Sequence, residues 1–270
     1  MHGRPRLFVT VLAGFLAAAP HAARAVGPNP ADRCTIVMLH GAFSGGWDWK
    51  SVGDRLTASG HTVYRPSFTG LGDRLHLSSP DIDLETHILD VVNLIRFEGL
   101  SNVVLTGHSY AGMVLTGVLD RIPERLKRVI FLDAAIPNDG ESFVTFWQSL
   151  GPFEEKPVNG FAVLSGVDTN RPPPFEVPQS WKTWSSPVRY QNPAAKRVPV
   201  SFVFFLDKGQ RPEIIEEGVE YSALRHAIWK RAVERGWHVE KFDGDHVAEK
   251  TRPKELAAFL EELLGRTGSR

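Results

Sequence analysis

The chain has 270 residues, 42% of them hydrophobic, and equal numbers of basic and acidic residues give a formal charge of zero. That suits a globular protein with a real core, as one large α/β domain or two small ones. There is no basic surplus for nucleic acid or an anionic membrane, so neither is expected as a partner.

The first 25 residues read as a secretory signal peptide. Arg4 and Arg6 form a basic start, Leu7 to Ala19 an apolar stretch, and Ala23-Arg-Ala25 a small-x-small cleavage site. The apolar stretch is short for a permanent membrane span, so no stable membrane association is expected after cleavage. The leader holds three arginines and no acid, so its removal leaves 28 basic residues against 31 acidic and a formal charge of −3. A secreted or periplasmic protein is expected, with residues 26–270 forming one α/β domain. Its single cysteine, Cys34, has no partner for an internal disulfide and is expected to pack.

From Cys34 onward the chain alternates strand and helix patterns, as βα units and a parallel sheet require. Thr35-Ile-Val-Met-Leu39 is a continuous apolar run, expected for a strand buried on both faces. A helix is predicted from Trp47 to Ser59, a strand from His61 to Arg65 and a helix from Asp83 to Glu98. Asn102 to Thr106 is the next strand, Gly112 to Arg121 the next helix, and Arg128 to Leu132 another buried strand. Residues 137–196 are rich in proline and weak in apolar periodicity. They are predicted to be a cap inserted over the sheet. Alternation resumes with a strand at Val198 to Leu206, helical sequence over Pro212 to Gly236, a strand at Trp237 to Phe242 and a final helix at Pro253 to Leu264.

Residues 107–112, Gly-His-Ser-Tyr-Ala-Gly, stand between a predicted strand and a predicted helix. A tight turn there exposes Ser109 above the sheet and aims a helix N-terminus at its hydroxyl. A neutral hydroxyl is a poor nucleophile, so it needs exposure, a base and donors for the oxyanion it creates. Ala111 stands where the usual pattern has glycine.

His246 follows the last strand, in Phe242-Asp-Gly-Asp-His246, on the same side of a parallel sheet as Ser109. It is the expected general base. Two carboxylates compete to orient it: Asp133 after the strand that follows the serine helix, and Asp207 after the strand beyond the cap. Asp133 is preferred, because Asp207 follows its strand at once, is flanked by Lys208 and leaves a long gap before His246. Asp243 and Asp245 lie too close in sequence and are expected to shape the turn. The Tyr110 amide is the first expected oxyanion donor. The second comes from the loop His40-Gly-Ala-Phe-Ser-Gly-Gly-Trp47, with the Ala42 amide first choice and Phe43 next. His40 is expected to hold that loop. The chain has no H-E-x-x-H, C-x-x-C, phosphate-loop or dinucleotide motif, so neither a metal nor another cofactor is expected.

The segments His40-Gly-Ala-x-x-Gly-Gly-Trp47, Thr69-Gly-Leu-Gly-Asp73, Gly107-His-Ser-Tyr110 and Gly244-Asp-His246 resemble the α/β-hydrolase superfamily. The resemblance covers about residues 34 to 265. It points to the esterase branch that includes plant methylesterases and hydroxynitrile lyases, together with bacterial carboxylesterases. It implies the α/β-hydrolase fold, a mostly parallel sheet flanked by helices with a small cap, and a Ser-His-acid hydrolase of esters or lactones. Some members of that branch place the acid after the later strand. Fungal lactonases that open zearalenone place it after the strand following the nucleophile helix, which is similar to Asp133. Hydroxynitrile lyases of the branch carry lysine after the catalytic histidine, and here that residue is Val247. The cap aromatics Phe143, Phe146, Trp147, Trp181 and Trp184 suggest an apolar or aromatic ester substrate, or alternatively pack the cap onto the sheet. The fold also serves lyases and small-molecule receptors, so a non-hydrolytic protein is the competing expectation.

Overall fold

The computed structural model describes residues 33–168, 170–206 and 223–265, excepting the side chains of 223–226. The predicted leader, Asp207 and the first part of the predicted 212–236 helix lie outside the described residues.

Among the described residues, six strands form a parallel sheet: β1 (Thr35–Leu39), β2 (Thr62–Tyr64), β3 (Val103–His108), β4 (Leu126–Leu132), β7 (Val200–Leu206) and β8 (His238–Asp243). Their order is β2-β1-β3-β4-β7-β8, with every neighbouring pair parallel. Two very short strands, β5 (Phe161–Ala162) and β6 (Gln179–Ser180), pair antiparallel between β4 and β7 in sequence. The helices are α1 (Lys50–Ala58), α2 (Leu84–Phe97), α3 (Ala111–Arg121), α4 (Phe143–Leu150), α5 (Lys182–Ser185), α6 (Ala223–Glu234), α7 (Ala248–Thr251) and α8 (Pro253–Gly265).

Alternation along β1 builds both layers of the core. Ile36 and Met38 pack with Val52 and Leu56 of α1 and Leu256 and Leu260 of α8. Val37 and Leu39 pack on the other face with Ile88 and Val91 of α2 and Val114 and Leu115 of α3. Burying each such side chain stabilises the fold by about 1.5–3 kcal/mol. Helix α2 starts where Asp83 accepts the Thr86 amide at 2.9 Å, a cap of the usual kind. Cys34 is buried.

The segment 137–196 holds more regular structure than its composition predicts. Helix α4 places Phe143, Phe146, Trp147 and Leu150 at helical spacing. It is opened by a reciprocal cap in which Ser142 and Thr145 each accept the other's amide. Threonine at the third position, where glutamate or glutamine is usual, hides that signal in sequence.

The chain runs from β1 out to β2 and returns on β1's other side as β3. In an open parallel sheet the crevice at such a reversal receives ligands. The register sets the loops side by side. Leu39 pairs with Gly107, His108 with Leu132, and Leu206 with Asp243. The segments beginning at His40, Ser109, Asp133 and Gly244 therefore leave the sheet at one rim.

Candidate active site

Ser109 sits at the apex of the β3–α3 turn with φ of 56°, a left-handed backbone in a non-glycine residue. Its carbonyl accepts the amides of Gly112 at 3.1 Å and Ala135 at 3.0 Å. Close packing dictates the small residues around it. A Cβ on Gly107 would lie 2.9 Å from Ala111 Cβ, and one on Gly112 would lie 1.9 Å from the Ala135 carbonyl oxygen. Phe43 and Asp133 also have positive φ, 66° and 43°. Such conformations cost about 1–3 kcal/mol each, persist only where the surroundings hold them, and gather at functional sites.

His246 joins two of these loops. Its Nε2 is 3.1 Å from Ser109 Oγ and its Nδ1 is 2.7 Å from Asp133 Oδ2. The bonding fits one tautomer, in which Nδ1–H donates to the carboxylate and the serine hydroxyl donates to Nε2. The Asp133 side chain is 9% exposed and that of His246 is 47% exposed. The carboxylate is thus shielded while the imidazole faces the opening. Asp133 is fixed by its amide, which donates to the Val203 carbonyl at 2.8 Å. Asp245 shapes the histidine turn by accepting the Val247 amide at 3.0 Å and the Thr251 hydroxyl at 2.9 Å. Such a series of bonds lets an imidazole take the hydroxyl proton while a carboxylate faces the resulting cation.

The loop after β1 lies against the serine. A Cβ on Gly41 would stand 3.4 Å from Ser109 Cβ. The amides of Ala42 and Tyr110 donate to no acceptor among the described residues. The Phe43 amide, the other sequence candidate, is taken by Gln179 Oε1 at 3.0 Å. His40 holds the loop. Its Nδ1–H donates to the Gly41 carbonyl at 2.8 Å and its Nε2 accepts the Phe68 amide at 3.1 Å. Burial lowers its pKa to about 3, so the ring is neutral.

The family described as "Alpha/beta hydrolase family" matches residues 36–259. The chain belongs to the alpha/beta hydrolase family. It is 33% identical to the carbendazim hydrolyzing esterase of Nocardioides sp. (strain SG-4G), over 84% of this chain and 98% of that protein. It is 25% identical to methylesterase 3 of Arabidopsis thaliana, over 86% of this chain and 96% of that one. In fold it is similar to an extracellular alpha/beta-hydrolase from a Paenibacillus species, with a TM-score of 0.62 and 21% identity over 87% of this chain and all of that one.

Two further features surround the site of this alpha/beta hydrolase; the first was not legible in sequence, and the second gathers the aromatics of residues 137–196 that the sequence singled out. Beneath His246 lies the buried His108, with ring centroids 4.5 Å apart. Its Nδ1 is 3.9 Å from Oε1 of the buried Glu249. Burial lowers the His108 pKa well below its ordinary value, and the nearby His246 adds to that. Burial raises Glu249 to about 8. Nothing near Glu249 in sequence marks it as buried. The second feature is a continuous aromatic wall rising from the oxyanion loop. Phe43 meets Trp184 at 5.4 Å, Trp184 meets Phe143 at 5.0 Å and Trp181 at 5.7 Å, and Phe143 meets Tyr110 at 5.6 Å and Trp147 at 5.9 Å, between ring centroids. Phe143, Phe146 and Trp184 are buried, while Trp147, Trp181 and Phe43 keep part of their surface open. Among the described residues, no group of three or more His, Cys, Asp or Glu side chains is arranged to hold a metal ion.

Proposed function

We propose that this protein is a serine hydrolase of carboxylic esters, lactones included, acting through Ser109, His246 and Asp133. One observation carries the reading: an unbroken hydrogen-bond series from hydroxyl to imidazole to carboxylate, beside two unclaimed amides. Ser109 Oγ attacks the ester carbonyl as its proton passes to His246 Nε2. The Ala42 and Tyr110 amides hold the oxyanion, each worth about 3 kcal/mol in the transition state. The tetrahedral adduct expels the alcohol, which takes the proton from Nε2, and leaves an acyl group on Ser109. Water then attacks that acyl group through the same imidazole, releasing the acid and restoring the hydroxyl. Asp133 keeps the imidazole in the right tautomer and faces its positive charge. No step calls on a cofactor.

The relatives named as an esterase and a methylesterase support ester cleavage over other chemistry on this fold. The open edges of Phe43, Trp147 and Trp181 favour an apolar or aromatic ester. Export through the leader at residues 1–25 makes the mature enzyme secreted or periplasmic, and N-terminal sequencing after expression should begin at Val26.

Steady release of p-nitrophenol from p-nitrophenyl acetate or butyrate, abolished in Ser109→Ala, is the expected result. Stoichiometric labelling without turnover would identify a receptor instead. Cyanide release from mandelonitrile would identify a lyase, and none is expected because Val247 replaces the lysine of that chemistry. A panel spanning acyl chain length, aromatic esters and lactones then ranks substrates.

A further inference from the structure

The oxyanion loop is held from above by the segment that carries β6. The Val177 amide donates to the Phe43 carbonyl at 2.8 Å, and the Phe43 amide donates to Gln179 Oε1 at 3.0 Å. Both polar groups of Phe43 are thereby tied to a segment more than 130 residues away in sequence. Glu176, in the same segment, accepts from Lys250 Nζ at 3.2 Å, and Lys250 lies in α7, four residues beyond His246. Residues 176–179 thus touch both the loop bearing the amides and the helix that follows the turn bearing the base.

Gln179 is fully buried. A buried amide is costly unless its donors and acceptor are met. Here they are met in one sense only. Thr183 Oγ1 donates to the Ser180 carbonyl at 2.7 Å, so it presents a lone pair to Gln179 at 2.7 Å. The Gln179 nitrogen must therefore face Thr183, and its oxygen must face Phe43. The same helix end continues the chain of bonds, because Tyr110 Oη donates to the Thr183 carbonyl at 3.4 Å and lies 3.0 Å from His87 Nδ1.

Phe43 has φ of 66° and directly follows Ala42. A left-handed phenylalanine relaxes unless it is held. Fixing its amide and carbonyl fixes the peptides on both sides of the Phe43 Cα. The Ala42 N–H lies in the preceding Gly41–Ala42 peptide, whose carbonyl His40 holds, so with Phe43 tied down the Ala42 φ and ψ join two anchored peptides and the N–H keeps its direction. It also takes the Phe43 N–H out of competition for the oxyanion. We propose that Gln179 is a positioning residue that aims the Ala42 amide through Phe43, so that the cap segment sets the oxyanion hole. The proposal rests on the serine-hydrolase reading above.

The test compares Gln179→Met, Gln179→Glu and Thr183→Val on p-nitrophenyl butyrate and against an alkyl trifluoromethyl ketone, whose hemiketal oxygen occupies the same amides. For Gln179→Met, kcat should fall about 10- to 100-fold with KM within about twofold, less than the loss of a whole donor. Affinity for the ketone should fall by a matching factor. Gln179→Glu, kept protonated by its full burial, presents an oxygen to Phe43 and an O–H to Thr183, and should stay within about fivefold of the parent protein. A Met variant with unchanged kcat overturns the proposal. So does a rise in KM alone, which would mark a substrate contact, or a fall in kcat with ketone affinity unchanged. If the Met variant does not fold, Thr183→Val decides: a fall in kcat of about threefold or more at constant KM supports the proposal, and an unchanged kcat overturns it. Failure of the underlying reading looks different, because Ser109→Ala would then retain turnover whatever Gln179 does.

Discussion

Glu249 offers a quantitative test of how tightly the floor of the site is packed. It is 1% exposed, and its Oε2 has no hydrogen-bond partner among the described residues. Burial raises its pKa from 4.5 to about 8; Asp48 and Asp245 act in the same direction and Lys250 against it. Between those two values the unfolded chain is ionised while the folded chain holds a proton. Folding must then take up a proton, so this group's contribution to stability falls as pH rises from 4.5 to 8 and is flat above. Full separation over that interval corresponds to roughly 5 kcal/mol, and local relaxation brings the expected value to about 3–5 kcal/mol. Glu249→Gln keeps the shape and stays neutral. It should match the parent protein at pH 4.5 and exceed it by that amount at pH 8.5, a rise in thermal midpoint of about 10 °C. Urea unfolding followed by tryptophan fluorescence at several pH values gives the difference directly. A difference independent of pH, or a glutamine variant less stable at pH 8.5, would refute the reasoning.

Three other outcomes follow from the geometry. Gly112→Ala drives a Cβ against the Ala135 carbonyl, so it should cost about 3 kcal/mol or more and lower kcat by displacing the serine turn; unfolding curves and turnover on the same preparation check both. On the acid side, burial keeps His40, His87 and His108 neutral. The unfolded chain protonates them below about pH 6.5, so stability should fall with acid from there down, three such groups outweighing Glu249, and a flat stability profile between pH 6.5 and 4 would contradict this. Arg231 donates to Glu141 at 2.7 and 3.0 Å and to the Ile136 carbonyl at 3.0 Å, so Arg231→Met should leave a part-buried carboxylate with only its Asn138 hydrogen bonds and lower stability by about 1–3 kcal/mol, measured by chemical denaturation.

The strands were legible because each central one is a short apolar run buried on both faces, with the expected and observed limits of β1 coinciding at Thr35 and Leu39. The serine turn was legible because its small residues form one contiguous motif between a strand and a helix, although the contacts that impose them reach Leu39 and Ala135 as well as Ala111. The acid was only half legible. Asp133 and Asp207 both follow neighbouring strands that end at the same rim, and periodicity does not say which one the imidazole reaches. The structure joins His246 to Asp133, while Asp207 lies outside the described residues. The ties from Gln179 to Phe43 and from Glu249 to His108 left no local trace, since each spans more than 130 residues and neither Gln179 nor Glu249 belongs to a spacing motif. Helix α4 was missed for a different reason. Its apolar spacing is present, but proline-rich neighbours mask it and its cap uses threonine.

The proposed mechanism requires Asp133 to complete the series with His246 and Ser109. The measurement that bears on this most directly is kcat for Asp133→Asn beside Asp207→Asn, on the same ester at pH 7–8. Asp133→Asn should lose about 10⁴-fold with KM little changed, while Asp207→Asn stays near the parent value. Near-normal turnover in Asp133→Asn, or a crippled Asp207→Asn, would contradict it.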